Sequence, residues 1–330
     1  MQMKEAMYYR KNVDGSVECV LCPHHCIISE GHTGICRVRR NIGGILYSEN
    51  YAQVSSWGMD PVEKKPLYHF YPGNVIFSVG SIGCNFKCKF CQNWQIAQST
   101  DVPTQEVNPE DLVAIAKGQR KNIGIAYTYN EPTIWYEYVL ECAKLAHEEG
   151  LKNVLVTNGF IEKEPLNQIL PFVDAMNIDL KAFHEDFYKK LSSGRLAPVM
   201  ETIEISQKKC HVELTTLIIP GMNDSAEEIE ALAKWVSSLR KDIPIHFTRY
   251  FPCYKLDIPA TPFETIKKAR EIALKYLDYV YTGNMTDETG SNTYCPSCGK
   301  MVIQRTGYFV QIEMEDSKCP NCGRDILVIR

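Results

Sequence analysis

The sequence predicts an α/β protein, an incomplete β/α barrel with a small cysteine-rich module at each end. Three observations carry this expectation. Strand-like and helix-like stretches alternate from about residue 74 to residue 276. Eleven of the 14 cysteines fall into three tight groups. Hydrophobic residues make up 45% and charged residues 23%, the balance of an ordinary globular chain. At roughly 100–200 residues per domain, the length allows two or more domains and a large core. No apolar run approaches the roughly 18–20 residues of a membrane span. The stretch 1–12 is polar and charged, without the apolar core of a signal peptide, so a cytoplasmic chain is expected. A net charge of −4, from 36 basic and 40 acidic residues, argues against a generally basic nucleic-acid binder. Clustered cysteines in such a chain read as metal ligands rather than disulfides.

Taken in order, residues 1–73 form an N-terminal segment that holds Cys19, Cys22, Cys26 and Cys36. It closes at the turn formers Tyr-Pro-Gly-Asn of 71–74. The apolar run 74–80 (NVIFSVG) predicts a buried first strand, which leads directly into the second cysteine group. Leu112, Ile115 and Ala116 at helical spacing predict a helix over 109–117. A strand at 123–128 and a helix at 133–149, ended by Gly150, come next. A third strand covers 153–157, with Asn158-Gly159 turning the chain. Further strands are expected at 174–180, 211–219 and 243–250, and helices near 185–191, 198–209, 225–240 and 262–276. Strands alternating with helices imply parallel strands joined by right-handed crossovers. Six such units within 74–290 fall short of the eight that close a barrel. Residues 291–330, with two cysteine knuckles around a short β-like stretch, form a terminal domain.

Cys84-Asn-Phe-Lys-Cys88-Lys-Phe-Cys91 has the spacing C-x3-C-x2-C. A structural zinc site takes four ligands, and an ordinary cubane cluster is held by four thiolates. The next cysteine, Cys142, lies in the middle of a predicted helix, and His69 lies before the strand. Three ligands on a short loop point to a four-iron cluster with one iron open to an exogenous ligand; the alternative is a zinc site completed from a distance. The loop, including the aromatic Phe90, resembles the signature of the radical S-adenosylmethionine (SAM) superfamily. That resemblance implies a partial barrel of the radical SAM type and a [4Fe-4S] cluster whose open iron chelates SAM. It also implies an external one-electron donor of flavodoxin or ferredoxin type. Reductive cleavage of SAM then gives methionine and a 5′-deoxyadenosyl radical.

Thr128-Tyr129-Asn130-Glu131-Pro132 follows the second strand. It is similar to a stretch of the pyruvate formate-lyase type activating enzymes, where a glutamate after a glycine-rich turn accepts from the SAM ammonium. Tyr129 and Asn130 replace the glycines, and Glu131 inherits the role; its other reading is a helix N-terminal acid. Period two puts Asn177, Asp179 and Lys181 on one face of the fourth strand. Polar groups there are costly unless paired or bound to ligand. Asp179-Leu-Lys181 resembles the D-x-K pattern that contacts the SAM ribose and carboxylate; the alternative is an internal Asp–Lys pair. Asn158 is expected on the SAM-facing rim, and 219–224 (IPGMND) resembles the turn beside the adenine. His246 matches a SAM-pocket histidine, although a lone strand histidine also reads as structural. Arg249, Tyr250, Tyr254 and Cys253 are expected near the mouth, and Cys142 and Cys210 as small buried hydrophobes.

Cys295, Cys298, Cys319 and Cys322 give C-x2-C-x20-C-x2-C, the spacing of a zinc ribbon, with rubredoxin-like iron as the alternative. Gly299 and Gly323 permit a positive-φ turn after each pair. So small a domain needs the metal's binding energy to fold. Cys19, Cys22, Cys26 and Cys36 read as a second metal set, zinc in preference to an auxiliary iron–sulfur cluster, with His24, His25 and His32 as substitutes. With Gly31, Gly34 and Arg37, this segment resembles the N-terminal extension of the AmmeMemoRadiSam radical SAM enzymes, which implies a Memo-like partner. The function expected is hydrogen abstraction from an unidentified small molecule or protein side chain, glycyl-radical activation included. The competing reading is a zinc-ribbon adaptor with a redox-sensing cluster.

Overall fold

One eight-stranded sheet organises the chain, and its strands lie side by side in chain order. They are β1 (Ser56–Pro61), β2 (Val75–Gly80), β3 (Asn122–Tyr127), β4 (Lys152–Thr157), β5 (Ala175–Asp179), β6 (His211–Ile218), β7 (Ile245–Arg249) and β8 (Val280–Gly283). The computed structural model describes residues 3–99, 101–286 and 289–330, so residues 1 and 2 of the polar N-terminal stretch lie outside the described residues. Strands β2 to β8 pair parallel, and β1 pairs antiparallel with β2. No pairing joins β1 to β8 among the described residues, so the sheet is open.

Two strands exceed the six expected. In β1, Gly58 and Pro61 mask the strand signal; as an edge strand it tolerates a proline that a central strand would not. Because β1 belongs to the segment 1–73, that segment supplies part of the central sheet. In β8 only Val280, Tyr281 and Thr282 precede the closing glycine, too short a run to declare a period.

The parallel strands are covered on both faces, as the unbroken apolar run in β2 required. Helices α1 (Pro109–Lys117), α2 (Tyr136–Glu148), α3 (Lys163–Ile169), α4 (Leu196–Ser206), α5 (Ala226–Leu239) and α6 (Phe263–Ala273) fill the connections. Ser225 caps α5 by accepting from Glu228 N–H at 3.1 Å, and Ile229, Leu232, Ala233 and Val236 form its buried stripe. The helix expected at 185–191 is a single turn, Glu185–Phe187, that widens into a π turn over Tyr188–Ser192.

The N-terminal module is two small antiparallel sheets. A buried ion pair, Arg39 Nη2 to Glu137 Oε2 at 2.6 Å, ties it to α2. The C-terminal module, a three-stranded sheet, packs Val302, Ile303 and Val328 against Tyr279 and Tyr281 at the β8 edge. Ile329 bridges to Phe70, and Arg305 Nη2 donates to the Tyr68 carbonyl at 2.7 Å. Among the described residues, no helix is long and apolar enough to cross a membrane.

Candidate active site

The C-terminal ends of β2 to β7 open onto a cavity of about 340 Å³, the edge at which parallel α/β sheets place their ligands. Cys84, Cys88 and Cys91 line it, together with Phe90, Glu131, Asn158, Asp179 and Lys181. Residues far apart in sequence therefore converge, because each follows or ends a parallel strand.

The cysteine loop is held from three sides. Lys87 N–H and Lys89 N–H each donate at 2.9 Å, to the Ser192 and Leu191 carbonyls of the π turn. Asn158 Nδ2 donates to Asn85 Oδ1 at 2.8 Å, and Asn85 Nδ2 to the Phe160 carbonyl at 2.8 Å. Cys253 Sγ donates to the Cys91 carbonyl at 3.5 Å. Under the loop, Phe86 lies so close to Gly194 that a Cβ there would stand 2.4 Å from the ring. Burial pushes all three thiols up, Cys91 to about 11. Among the described residues their sulfurs do not form a single-ion group. Three soft donors on one rim of a roomy cavity fit a polynuclear cluster with a free corner.

Glu131 fulfils both of its readings. It caps the short helix Pro132–Trp135 by accepting from Thr133 N–H at 3.0 Å, and it also lines the cavity. It further accepts from Thr157 Oγ1 at 2.7 Å and Asn158 N–H at 2.8 Å. Burial dominates and raises its carboxyl above the usual range, against these three donors. Tyr129 takes a left-handed backbone that favours glycine, at φ +71°. Its hydroxyl donates to Asp60 at 2.8 Å and Lys65 Nζ lies 4.6 Å from its ring centroid, contacts that hold the strained residue. Lys181 Nζ meets Asp179 Oδ2 at 2.7 Å. Burial opposes the ammonium, but the Asp179 and Cys88 charges outweigh it, and the Lys181 pKa is raised. Asn223, in the turn at 219–224, donates to the Lys181 carbonyl at 2.7 Å, so that turn braces the pair.

His246 does not line the cavity. Its Nε2 pairs with Glu213 at 2.7 Å, and its ring packs between Tyr68 and Tyr281, deeper in the sheet. Alternation puts His246 and Thr248 on one face, and it is Thr248, two residues nearer the strand end, that reaches the cavity. Arg249 stacks on Phe251 and Phe263, Tyr250 is buried, and Tyr254 stacks on Trp94. Cys142 is buried in α2, and Cys210 is half-buried. The cavity also takes Lys64 and Asn284, which the sequence reading missed. Lys64 follows the unrecognised β1 and pairs at 2.7 Å with Asp60 of that strand.

The C-terminal quartet converges: its four sulfurs lie within 4.8 Å of one another, with Cys295–Cys322 at 3.5 Å and Cys298–Cys319 at 3.6 Å. Four thiolates about 2.3 Å from one ion stand about 3.8 Å apart, so the quartet fits a single tetrahedral metal. Gly299 and Gly323 take φ +72° and +73° at the knuckles. The N-terminal four do not form such a group among the described residues.

Residues 79–236 match the Radical SAM superfamily model. The chain is 45% identical to uncharacterized protein MJ0808 of Methanocaldococcus jannaschii, over 99% of this chain and 100% of that one. It is 33% identical to MJ1632 of the same organism, assigned to the glycyl-radical enzyme activating enzymes, over 60% of this chain and 76% of the relative. It is also 23% identical to the pyruvate formate-lyase-activating enzyme of Listeria monocytogenes, over 51% of this chain and 71% of that enzyme. In fold it is similar to Streptococcus suis SuiB bound to S-adenosylmethionine, with TM-score 0.50 and 14% identity, over 64% of this chain and 49% of that one. Membership of the superfamily implies a [4Fe-4S] cluster and SAM. The chain belongs to the radical SAM superfamily and is an enzyme related to the activating enzymes of glycyl-radical enzymes.

Proposed function

We propose that this enzyme binds SAM in the cavity rimmed by Cys84, Cys88 and Cys91 and uses it to remove a hydrogen atom from a substrate, a small molecule or a protein side chain. The observation that carries the reading is the convergence of that triad with Glu131, Asn158, Asp179 and Lys181 on one cavity at the strand ends. Cys84, Cys88 and Cys91 would hold the cluster, which would supply the single electron for reductive cleavage of the SAM sulfonium. Glu131, with its remaining lone-pair capacity, would accept from the SAM ammonium, while Lys181 and Asp179 would offer a cation and an acceptor to the carboxylate and ribose. The electron comes from an external flavodoxin- or ferredoxin-like donor. In this reading the sheet is a partial β/α barrel, 74–290, between an N-terminal segment, 1–73, and a zinc ribbon, 291–330. The N-terminal cysteines, the Tyr-Asn-Glu-Pro stretch and the ribbon together support an AmmeMemoRadiSam-type enzyme with a Memo-like partner.

Anaerobic reconstitution with SAM and dithionite tests the proposal. The native chain should release 5′-deoxyadenosine, and Cys91→Ala should release none. Undiminished cleavage by Cys91→Ala would refute the assignment of the triad.

A further inference from the structure

We propose that Cys19, Cys22, Cys26 and Cys36 hold a four-thiolate iron–sulfur cluster, a second redox group set directly behind the SAM cavity, and not the zinc that their spacing in sequence suggested. The first argument is distance. The ribbon cysteines already stand at single-ion separation, whereas the N-terminal four form no such group among the described residues. In this they behave like the central triad, whose family ligand is polynuclear. A cubane gives each thiolate its own iron corner and holds the sulfurs further apart than one ion can.

The four are nonetheless one site. Cys19, Cys22 and Cys36 are buried, Cys26 is half-buried, and Cys19 N–H donates to the Cys26 carbonyl at 2.9 Å. Gly34, two residues before Cys36, lies so close to Cys26 that a Cβ on it would stand 3.5 Å from the Cys26 sulfur.

The second argument is Arg39. Its side chain is 1% exposed and its Nη2 is committed to Glu137, yet Nε and Nη1 have no hydrogen-bond partner. Its charge acts on Cys19 and Cys36. Buried N–H donors are costly to leave unmade. Cluster sulfides and thiolates beside this guanidinium would accept from them, a standard lever on cluster potential. Three buried thiols with a buried, half-satisfied arginine form a built site for an anionic cluster.

Position gives the site its use. The Cys36 carbonyl lies 2.7 Å from where a Cβ on Gly83 would stand, so only glycine fits immediately before Cys84. His24 Nε2 lies 2.7 Å from the Asn85 carbonyl, immediately after Cys84. The two cysteine groups are back to back. A low-potential ferredoxin or flavodoxin, oxidised by one electron, would deliver that electron to the central site through Cys36, Gly83 and Cys84. Only this destination rests on the radical SAM reading; occupancy of the N-terminal site does not.

The test is iron stoichiometry and electron paramagnetic resonance on the anaerobically reconstituted full chain. Native protein should hold about eight irons, and the triple variant Cys84→Ala, Cys88→Ala, Cys91→Ala about four, with a reduced spectrum that SAM does not move. In native protein one component of the spectrum should shift with SAM and the other should not, and Cys26→Ala should remove the unshifted one. A native spectrum that shifts entirely, or a native chain carrying two zinc ions, would overturn the proposal. An unshifted cluster in a chain that never cleaves SAM would leave it standing and refute the proposed function instead.

Discussion

Asp179 and Lys181 are paired at 2.7 Å, yet Asp179 is 37% exposed where it meets the cavity. A pair made only for stability gains little at a half-exposed site, so the geometry suits a carboxylate and an ammonium held ready for a ligand. Losing one hydrogen bond to a charged partner costs about 1.5–3 kcal/mol. Asp179→Ala or Lys181→Ala should therefore weaken SAM binding roughly tenfold to a hundredfold with iron content unchanged. If the pair is purely internal, affinity stays put, the melting temperature falls, and Asp179→Asn with Lys181→Met recovers much of the loss. Calorimetric titration and melting on the same variants separate the two outcomes. These residues were legible because a D-x-K on one strand face is short and local. His246 was on the expected face but at the wrong depth, since period two reports which side a residue takes and not how far along the strand the ligand reaches.

The cysteine loop depends on an element whose meaning was hidden in the sequence. The π turn Tyr188–Ser192 supplies the carbonyls that hold Lys87 and Lys89, and Gly194 leaves the space that Phe86 fills. Phe86 is itself clamped between Phe160 and Tyr188. Gly194→Ala therefore forces a ring that has nowhere to go, an overpacking cost of about 1–3 kcal/mol. The expected outcome is a lower melting temperature and reduced iron incorporation at the central site, since the displaced ring carries Cys84 and Cys88 with it. Full iron loading in a stable Gly194→Ala protein would show that the loop is positioned by other contacts. The triad, the parallel strands and both cysteine modules could be read from spacing and period. What could not be read depended on contacts distant in sequence: β1 joining the central sheet as an edge, Tyr129 holding a left-handed backbone through Asp60 and Lys65, and Cys36 resting on Gly83.

At the scale of the whole molecule, the C-terminal module, the segment before β2 and the floor of the sheet share one buried polar junction. His69 contacts the Leu327 carbonyl and the Tyr281 hydroxyl, and its backbone N–H donates to Glu213 at 2.7 Å. Burial pushes His69 down from 6.5 to about 4, so the folded chain keeps it neutral. Burial alone would raise Glu213, but hydrogen bonds from His211 and His246 hold it well below its ordinary value. Between pH 6.5 and pH 4 the unfolded chain takes up a proton at His69 that the folded chain refuses, so stability falls as pH falls. Over that window the loss is about 3 kcal/mol. His24, lowered by its own burial, adds a slope of the same sign. Glu213 contributes only further down, below its ordinary 4.5, where unfolding lets the carboxyl protonate. The melting temperature should therefore drop steadily from pH 6.5 to 4 and drop less in His69→Gln, which starts less stable at pH 7 but refuses no proton. Because His69 reaches the C-terminal module through Leu327, protease cleavage near residues 314–330 should accelerate over the same pH range in the native chain. A native melting temperature flat across the window, or an unchanged slope in His69→Gln, would mean that His69 is protonated in the folded protein and that the junction is held by charge.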